Sequence, residues 1–487
     1  MKNLVLLFCF FGLGQLAANG QFVHAEDAAH YQHLNFKTDA EYDQAFGRKP
    51  KPLPTQNNRR ADKAPLGKKV FGWHPSWLGT NYRAYDYSNL HTIAYFSYEV
   101  NPATGGYKTI HSWLTTDLVT IAQQAGTKVV LTVTNFDNAN NATLLNSPAA
   151  KANLINQLIT LVKARNANGV NIDFEGVAVA QRDSLTKFMN QLGARFHTEI
   201  PGSRVSIALP AIQWIEVFMV AQMTQVDDFL IMGYGYYYGG ADKAGPNAPL
   251  KPSSWAFWGP TLNLTYSVNW YLNKGVPTEK LFLGLPYYGR RWATASATVP
   301  SATQNANAPS ASRTYAAAKA ELAANNYTRH WNPEGDTPYY VYQQNGQWFQ
   351  TFYDDAQSLG LKYDLVNQKN LAGIGIWALG YDDTSTNPEL NNLLRVKFPP
   401  VVMSATDALE DEKPSLYPNP VKRGQPVFLG KAVGGKVILT DALGRSLTMP
   451  TVNADGHFST ETFPAGLYFL TASTSQKSVS FRLVVVE

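Results

Sequence analysis

From Val70 to about Phe398, short β-rich apolar runs alternate with stretches of helical periodicity, and this alternation constrains the fold more than any other feature. Strands are expected at 70–73, 92–98, 128–133, 169–175, 204–209, 228–234, 280–285 and 373–378. Helical patterns lie between several of them, as at 149–164, 182–196 and 265–273. Eight strands joined mostly by helices within roughly 330 residues imply an α/β fold, a parallel (β/α)8 TIM barrel. A doubly wound sheet is the rival, but no glycine-rich dinucleotide turn opens the first βα unit.

The 487 residues leave room for more than the barrel. Residues 290–372 exceed what one βα unit needs. They run from ATASATVPSATQNANAPSAS through a helical AAAKAELAA to PYYVYQQNGQWFQTFYD, with Asn345-Gly346 as a hairpin turn. This reads as a small α+β insertion between strands seven and eight. A Pro-bounded acidic linker, 399–413, follows the barrel (68–398). Residues 414–487 then hold short alternating strands separated by PNP, GG, DALG, ADG and AG, a small all-β sandwich.

At the other end, Met1-Lys2-Asn3 precedes the apolar run LVLLFCFFGLG, and small residues follow at Ala17, Ala18 and Gly20. Residues 1–20 are therefore expected to be a secretory signal peptide, too short to span a bilayer. The single cysteine, Cys9, lies inside it, so the mature chain should contain no disulfide, thiolate nucleophile or cysteine metal site. No other stretch approaches a transmembrane length. Residues 21–67 read as a polar, basic N-terminal segment and linker. Between Arg48 and Lys69 there are eight basic residues and one acid, Asp62, so a chain of net charge +5 leaves about −2 for the rest. KPKPLP and QNNRRADK lack apolar periodicity and read as solvated linker, with a polyanion-binding arm as the weaker alternative. A nearly neutral body gives no reason to expect nucleic acid as a partner.

The most informative stretch is NGVNIDFEG, 168–176. Val170, Ile172 and Phe174 alternate with Asn171, Asp173 and Glu175. One strand face is thus apolar and the other carries an amide and two carboxylates. In a barrel strand the polar face points inward, and Glu175, last of the set, reaches the C-terminal mouth where barrel chemistry occurs. Asp173, one layer deeper, is placed to hydrogen-bond Glu175. Two close carboxylates cannot both ionise cheaply, so a carboxylic acid survives near neutrality, as a general acid requires. A polar layer satisfied inside the barrel core is the alternative, and an expensive one.

GVNIDFEG resembles the DGxDxDxE signature of family 18 glycoside hydrolases, the chitinase family. VFGWHPSW, TIAYFSYEV, VSIALPA, IMGYGYYY, LFLGLPYYGRRW and GIGIWALGYDD are similar to that family's strands one, two, five, six, seven and eight. The resemblance covers about 68–398 and is nearest the bacterial branch that includes spore-cortex-type glycosidases. It implies that Glu175 protonates the leaving glycosidic oxygen and that Asp173 orients the substrate's 2-acetamido group. Tyr234 would donate a hydrogen bond to the acetamido carbonyl, and Trp377 would floor the distorted sugar. Asn171, Met232 and Trp73 would complete the substrate site. The acetamido oxygen then serves as nucleophile, so the usual pair of opposed carboxylates is not needed.

No cofactor is implied. Nine histidines without paired ligand spacing give no expectation of a metal. Departures from the family pattern are Asn168 and Asn171 in place of acids, Gly235 where an acid normally follows the strand-six Tyr, and LTVTNF in place of Ser-x-Gly-Gly on strand three. Trp73, Trp77, Trp255 and Trp258 could be sugar-stacking positions or ordinary packing.

SLYPNPV, LTDALGR and AGLYFLTA ahead of the terminal FRLVVV resemble a type IX secretion sorting domain. A carbohydrate-binding sandwich is the competing reading. No Trp follows Trp377, however, and the late aromatics sit mostly at alternating core positions. Together the resemblances imply a glycosidase, secreted or at the cell surface, cleaving β-1,4 bonds of N-acetylglucosamine-containing polysaccharide or oligosaccharide with retention. Its other partner would be the export machinery. Chitin or chitooligosaccharides lead. Peptidoglycan, an N-glycan core, or a glycan-binding lectin on a hydrolase barrel are the alternatives.

Overall fold

The computed structural model describes residues 23–54, 65–252, 261–400, 416–429, 436–442, 445–448, 451–453, 456–473 and 478–487. Contacts divide the chain into two compact units, split at Pro400.

In the first unit eight parallel strands close on themselves. They are β1 (Lys69–Pro75), β2 (Thr92–Val100), β3 (Lys128–Phe136), β4 (Gly169–Glu175), β5 (Arg204–Pro210), β6 (Asp228–Met232), β7 (Leu281–Pro286) and β8 (Gly373–Trp377). Each pairs with the next, and β8 returns to β1 with Val70 beside Ile374. The strands follow the sequence expectation closely. β6 stops two residues early, at Met232, so Tyr234 lies just past the strand end. Its neighbour Gly235 takes a φ of 74°, the left-handed region that glycine enters freely. At the start of β4, Gly169 has a φ of 139°, and a Cβ there would lie 1.9 Å from the Arg204 carbonyl oxygen.

The helices are α1 (Val23–Tyr31), α2 (Asp39–Ala45), α3 (Leu118–Gln124), α4 (Asn138–Leu145), α5 (Pro148–Ala164), α6 (Arg182–Glu199), α7 (Leu264–Asn273), α8 (Tyr315–Asn325), α9 (Ala356–Gln368) and α10 (Glu389–Lys397). α5 shows why they form. The Ser147 hydroxyl accepts from Ala150 N–H, Pro148 fills a first-turn position, and Leu154, Ile155, Leu158, Ile159 and Val162 make one buried stripe. α6 buries Leu185, Phe188, Met189, Leu192 and Phe196, and Phe188 stacks on Phe174 of β4 at 5.8 Å. The apolar face of β4 thus meets a helix, and its polar face is left to the barrel interior. Between β5 and β6 the described connection carries only a 3-10 turn, Val220–Gln222.

The insertion is a five-stranded sheet formed by Tyr288–Thr294, Ala311–Thr314, His330–Asn332, Thr337–Gln344 and Gln347–Phe352, with α8 alongside. It ends before α9, which is the helix preceding β8 and so belongs to the barrel rather than to an insertion reaching 372. The largest difference from expectation is at the N-terminus. The segment read as polar and linker-like contains α1 and α2, and Val23, His24 and Tyr42 are all buried. Thr38 caps α2 in a capping box with Glu41. A nine-residue helix bearing Glu26 and Asp27 has the composition of a solvated surface; only the barrel mouth gives those groups partners.

The second unit has its own core of Val421, Val427, Leu439, Phe458, Phe463, Tyr468, Leu470, Leu483 and Val485. Its five-stranded sheet is antiparallel except for Val421–Lys422, which runs parallel to Ser478–Val486, and Pro426–Phe428 pairs with His457–Ser459 in a second, two-stranded sheet. Among the described residues, no helix is long and apolar enough to cross a membrane.

Candidate active site

The inward face of β4 stacks its three polar side chains in depth. Asn171, deepest, accepts from Trp73 Nε1–H at 2.9 Å and donates to the Ser206 hydroxyl at 3.0 Å. It ties β1, β4 and β5 together. Asp173 and Glu175 stand above it, buried, and each has one carboxyl oxygen (Asp173 Oδ1, Glu175 Oε1) without a protein hydrogen-bond partner. The expected hydrogen bond between these two carboxyls is not made. Asp173 Oδ2 instead lies 2.7 Å from Nδ1 of His24, and Glu175 Oε2 accepts from the Ala25 N–H at 3.2 Å. Burial holds the Glu175 carboxyl well above the usual carboxylate range, and the neighbouring Asp173 pushes it further the same way. A carboxyl raised in this way is suited to donate a proton.

Tyr234 is fully buried, with its oxygen 2.6 Å from His24 Nε2. Trp377, the last residue of β8, is also fully buried, and the His24 ring stacks on it at 3.7 Å and 29°. Trp73 meets the same imidazole edge-on at 5.2 Å. Met232 contributes to an open groove of about 1050 Å³, whose walls include Glu175, Phe136, Val177, Trp214, Ile215 and Phe218. All seven expected site residues therefore gather at the C-terminal mouth, with Asn171 and Trp73 beneath as support and Met232 toward the groove. Trp77 is buried with Tyr31 stacked on it at 4.6 Å. Trp255 and Trp258 lie outside the described residues, as does the expected signal peptide.

The departures at Asn168 and Gly235 have structural accounts. The Asn168 side chain accepts the Val129 N–H at 2.8 Å, a backbone-bracing role outside the site. The Gly235 N–H donates to Asn247 Oδ1 at 2.9 Å, fixing the turn after β6.

Sequence reasoning missed the N-terminal contribution. Asp27 Oδ2 accepts from Trp377 Nε1–H at 2.9 Å and from the Tyr381 hydroxyl at 3.2 Å. Its carboxyl is pushed up to about 6, by burial first and by Glu26. Glu26 pairs with the buried Arg290 at 2.5 Å. The only sequence signal nearby was the capping pattern Thr38-x-x-Glu41, which marks a helix but not where it docks. His24, Asp173 and Glu175 also offer one donor atom each within 4.8 Å of one another. The 2.7 Å between His24 and Asp173 is a hydrogen-bond distance, shorter than the roughly 3.3 Å that separates ligand atoms around a tetrahedral ion with bonds of 2.0–2.1 Å.

Comparison with known proteins agrees with this geometry. Residues 69–382 match the model of glycosyl hydrolases family 18, and residues 415–486 match a secretion system C-terminal sorting domain. Chitinase A1 of Niallia circulans is 30% identical over 194 residues, 37% of this chain and 27% of that protein. The cortical fragment-lytic enzyme of Bacillus subtilis (strain 168) is 25% identical over 279 residues, 54% of this chain and 60% of its own length. The chain thus spans less than two thirds of either relative. Among solved structures, the Ostrinia furnacalis Group IV chitinase superposes with a TM-score of 0.61 at 19% identity, covering 68% of this chain and 99% of that one. The family match takes in β1 to β8 and every expected site residue, and on that ground the chain belongs to the glycosyl hydrolases of family 18.

Proposed function

We propose that the barrel is an exported glycosidase that cleaves β-1,4 bonds beside N-acetylglucosamine by substrate-assisted, retaining catalysis. One observation carries this reading: Glu175, Asp173, Tyr234 and Trp377 converge on a single space the size of a small planar group. Asp173 and Glu175 are two residues apart on one strand, so they face the substrate from the same side. They cannot flank a glycosidic bond as acid and opposed nucleophile. This supports a nucleophile supplied by the substrate itself.

In the first step the Glu175 carboxyl gives its proton to the glycosidic oxygen as the bond from that oxygen to the anomeric carbon breaks. The acetamido oxygen attacks the anomeric carbon and closes a five-membered ring. Asp173 accepts the acetamido N–H, the Tyr234 hydroxyl donates to the acetamido oxygen, and the Trp377 face lies under the sugar. In the second step water attacks the anomeric carbon, its proton passes to the Glu175 carboxylate, and the ring reopens. Two inversions leave the β anomer. Chitooligosaccharides are the leading substrates. The match to a cortical fragment-lytic enzyme favours peptidoglycan as the second reading. The sorting-domain match supports delivery to the cell surface or beyond.

Proton NMR of fresh products from chitooligosaccharide, peptidoglycan and a high-mannose glycopeptide tests both parts. The β anomer is expected from the substrate that is cut. An initial α anomer, or brisk cleavage of a glucosamine-only oligomer, would overturn the mechanism.

A further inference from the structure

The space in which the catalytic groups converge is filled by the chain's own N-terminal segment. We propose that residues 23–48 form an intramolecular plug that competes with glycan for the barrel site, so that the fold described here is the closed form of the protein. This rests on reading the barrel mouth as a glycan site.

The plug satisfies the site group by group. The His24 imidazole is a flat ring with two outward-facing nitrogens. It lies on the Trp377 face and sets one nitrogen against Asp173 and the other against the Tyr234 hydroxyl. Those are the three surfaces assigned above to the sugar and its acetamido group, so imidazole and sugar exclude one another. Ala25 N–H meets the Glu175 carboxyl, the proposed proton donor. Asp27 takes the Trp377 indole N–H. A second ring from the same helix, Tyr31, lies at 4.6 Å and 23° over Trp77, the arrangement an aromatic platform offers a sugar face. Aromatic surfaces that would hold glycan thus hold plug side chains instead.

Docking extends beyond the site, which makes it specific. Glu26 pairs with Arg290 of the insertion. On α2, Tyr42 is fully buried with its oxygen 2.6 Å from His111 Nδ1, and Asp39 accepts the Tyr82 hydroxyl at 2.7 Å. Arg48 donates to the Trp77 carbonyl at 2.6 Å.

Docking buries apolar side chains such as Val23 and Tyr42, but it also sets a third carboxyl, Asp27, against Trp377 and Tyr381 in the site that already holds Asp173 and Glu175, an arrangement costly unless the groups it meets exist for another ligand. The plug also lies outside the residues that match the family, 69–382, as an added device would. The open groove of about 1050 Å³ counts Ala25, Ala28 and Ala29 among its lining, so it runs from solvent to the plug and to Glu175 and gives a glycan a path to the contested space.

The consequence follows from population arithmetic. A plug docked in 99% of molecules weakens apparent glycan affinity about a hundredfold, because only the undocked fraction binds. Loosening the plug must therefore tighten glycan binding, an outcome opposite to that of damaging an ordinary structural contact.

The test uses the full chain lacking only the expected leader, with two variants: His24→Gly, and the double variant Glu26→Ala with Tyr31→Ala. Each is also made with Glu175→Gln, so that chitotetraose binding can be measured by calorimetry without turnover. Both plug variants are expected to bind chitotetraose about tenfold or more tightly than the parent, with kcat/KM rising in parallel where Glu175 is intact. Hydrogen exchange on the unmodified chain supplies a readout independent of substitution: saturating chitotetraose should speed exchange of the amides of residues 23–31 and leave β1 to β8 protected. Unchanged affinity in both folded variants, or unchanged exchange of residues 23–31 when sugar is bound, overturns the plug. Tighter binding with no cleavage of any glycan would keep the plug and overturn the hydrolytic reading. Cleavage at equal rates in parent and variants would do the reverse.

Discussion

Glu175 and Asp173 are separated by one residue, and that spacing places both carboxyls on one face of one strand and on one side of any bound sugar. Their roles divide by surroundings. Burial and the neighbouring Asp173 raise the Glu175 carboxyl, whereas Asp173 lies deeper and faces Tyr234 across the site. Glu175→Gln keeps the shape and removes the transferable proton. We expect hydrolysis to fall by roughly 10²–10⁴-fold or more while oligosaccharide binding survives. Equal rates for variant and parent would contradict the acid assignment. The inward carboxyl pair was legible in NIDFE because alternation is a local property. The Asp173 partner was not, because His24 is 149 residues away along the chain.

Among the elements, α1 couples docking to protons. Asp27 is pushed up to about 6 in the docked plug from an ordinary 3.8, so the docked form holds a proton there more tightly than the undocked one. Docking is then strongest below about pH 4 and weakens as pH rises through about 6. The groups facing Asp27 are Glu26, His24, Glu175, Trp377 and Tyr381, and the two acids act in the same direction. The ratio of kcat/KM for His24→Gly to that of the parent should accordingly shrink between pH 4 and 6.5; a ratio that grows across this window would exclude the linkage.

A different element carries stability. In α9, Lys362 forms a fully buried pair with Asp354, at the junction of insertion and barrel. Lys362→Met leaves that carboxylate without its cation, and we expect a loss of about 3–5 kcal/mol in urea unfolding, with most of it recovered by adding Asp354→Leu. Tryptophan fluorescence follows the barrel unit alone, since no Trp follows Trp377. The helix itself shows how far patterns reach: its buried Leu359, Tyr363 and Val366 have helical spacing, but only the closed sheet shows that it belongs to the barrel and not to the insertion.

At the scale of the molecule, two units with separate cores imply separable tasks. Deleting residues 414–487 should leave glycan cleavage by the barrel unit intact and stop delivery across the outer membrane, with the truncated protein accumulating in the periplasm. Cell fractionation and an activity assay read the two effects independently. Loss of binding to insoluble polysaccharide with delivery unchanged would favour a binding module.

What the sequence determined by itself was the closed eight-stranded barrel, the order of its strands and the inward carboxyl face of β4. The strands and the inward face follow from the period of apolar residues over five to nine positions, which neighbouring residues establish by themselves, and the barrel from the number of strands and the helices between them. Tertiary structure alone decided what fills the mouth. His24, Asp27 and Tyr31 form a short polar helix whose sequence is indifferent to its surroundings. Their position follows from partners on β4, β8 and the segments after β1 and β6, and those partners become neighbours only when the sheet closes.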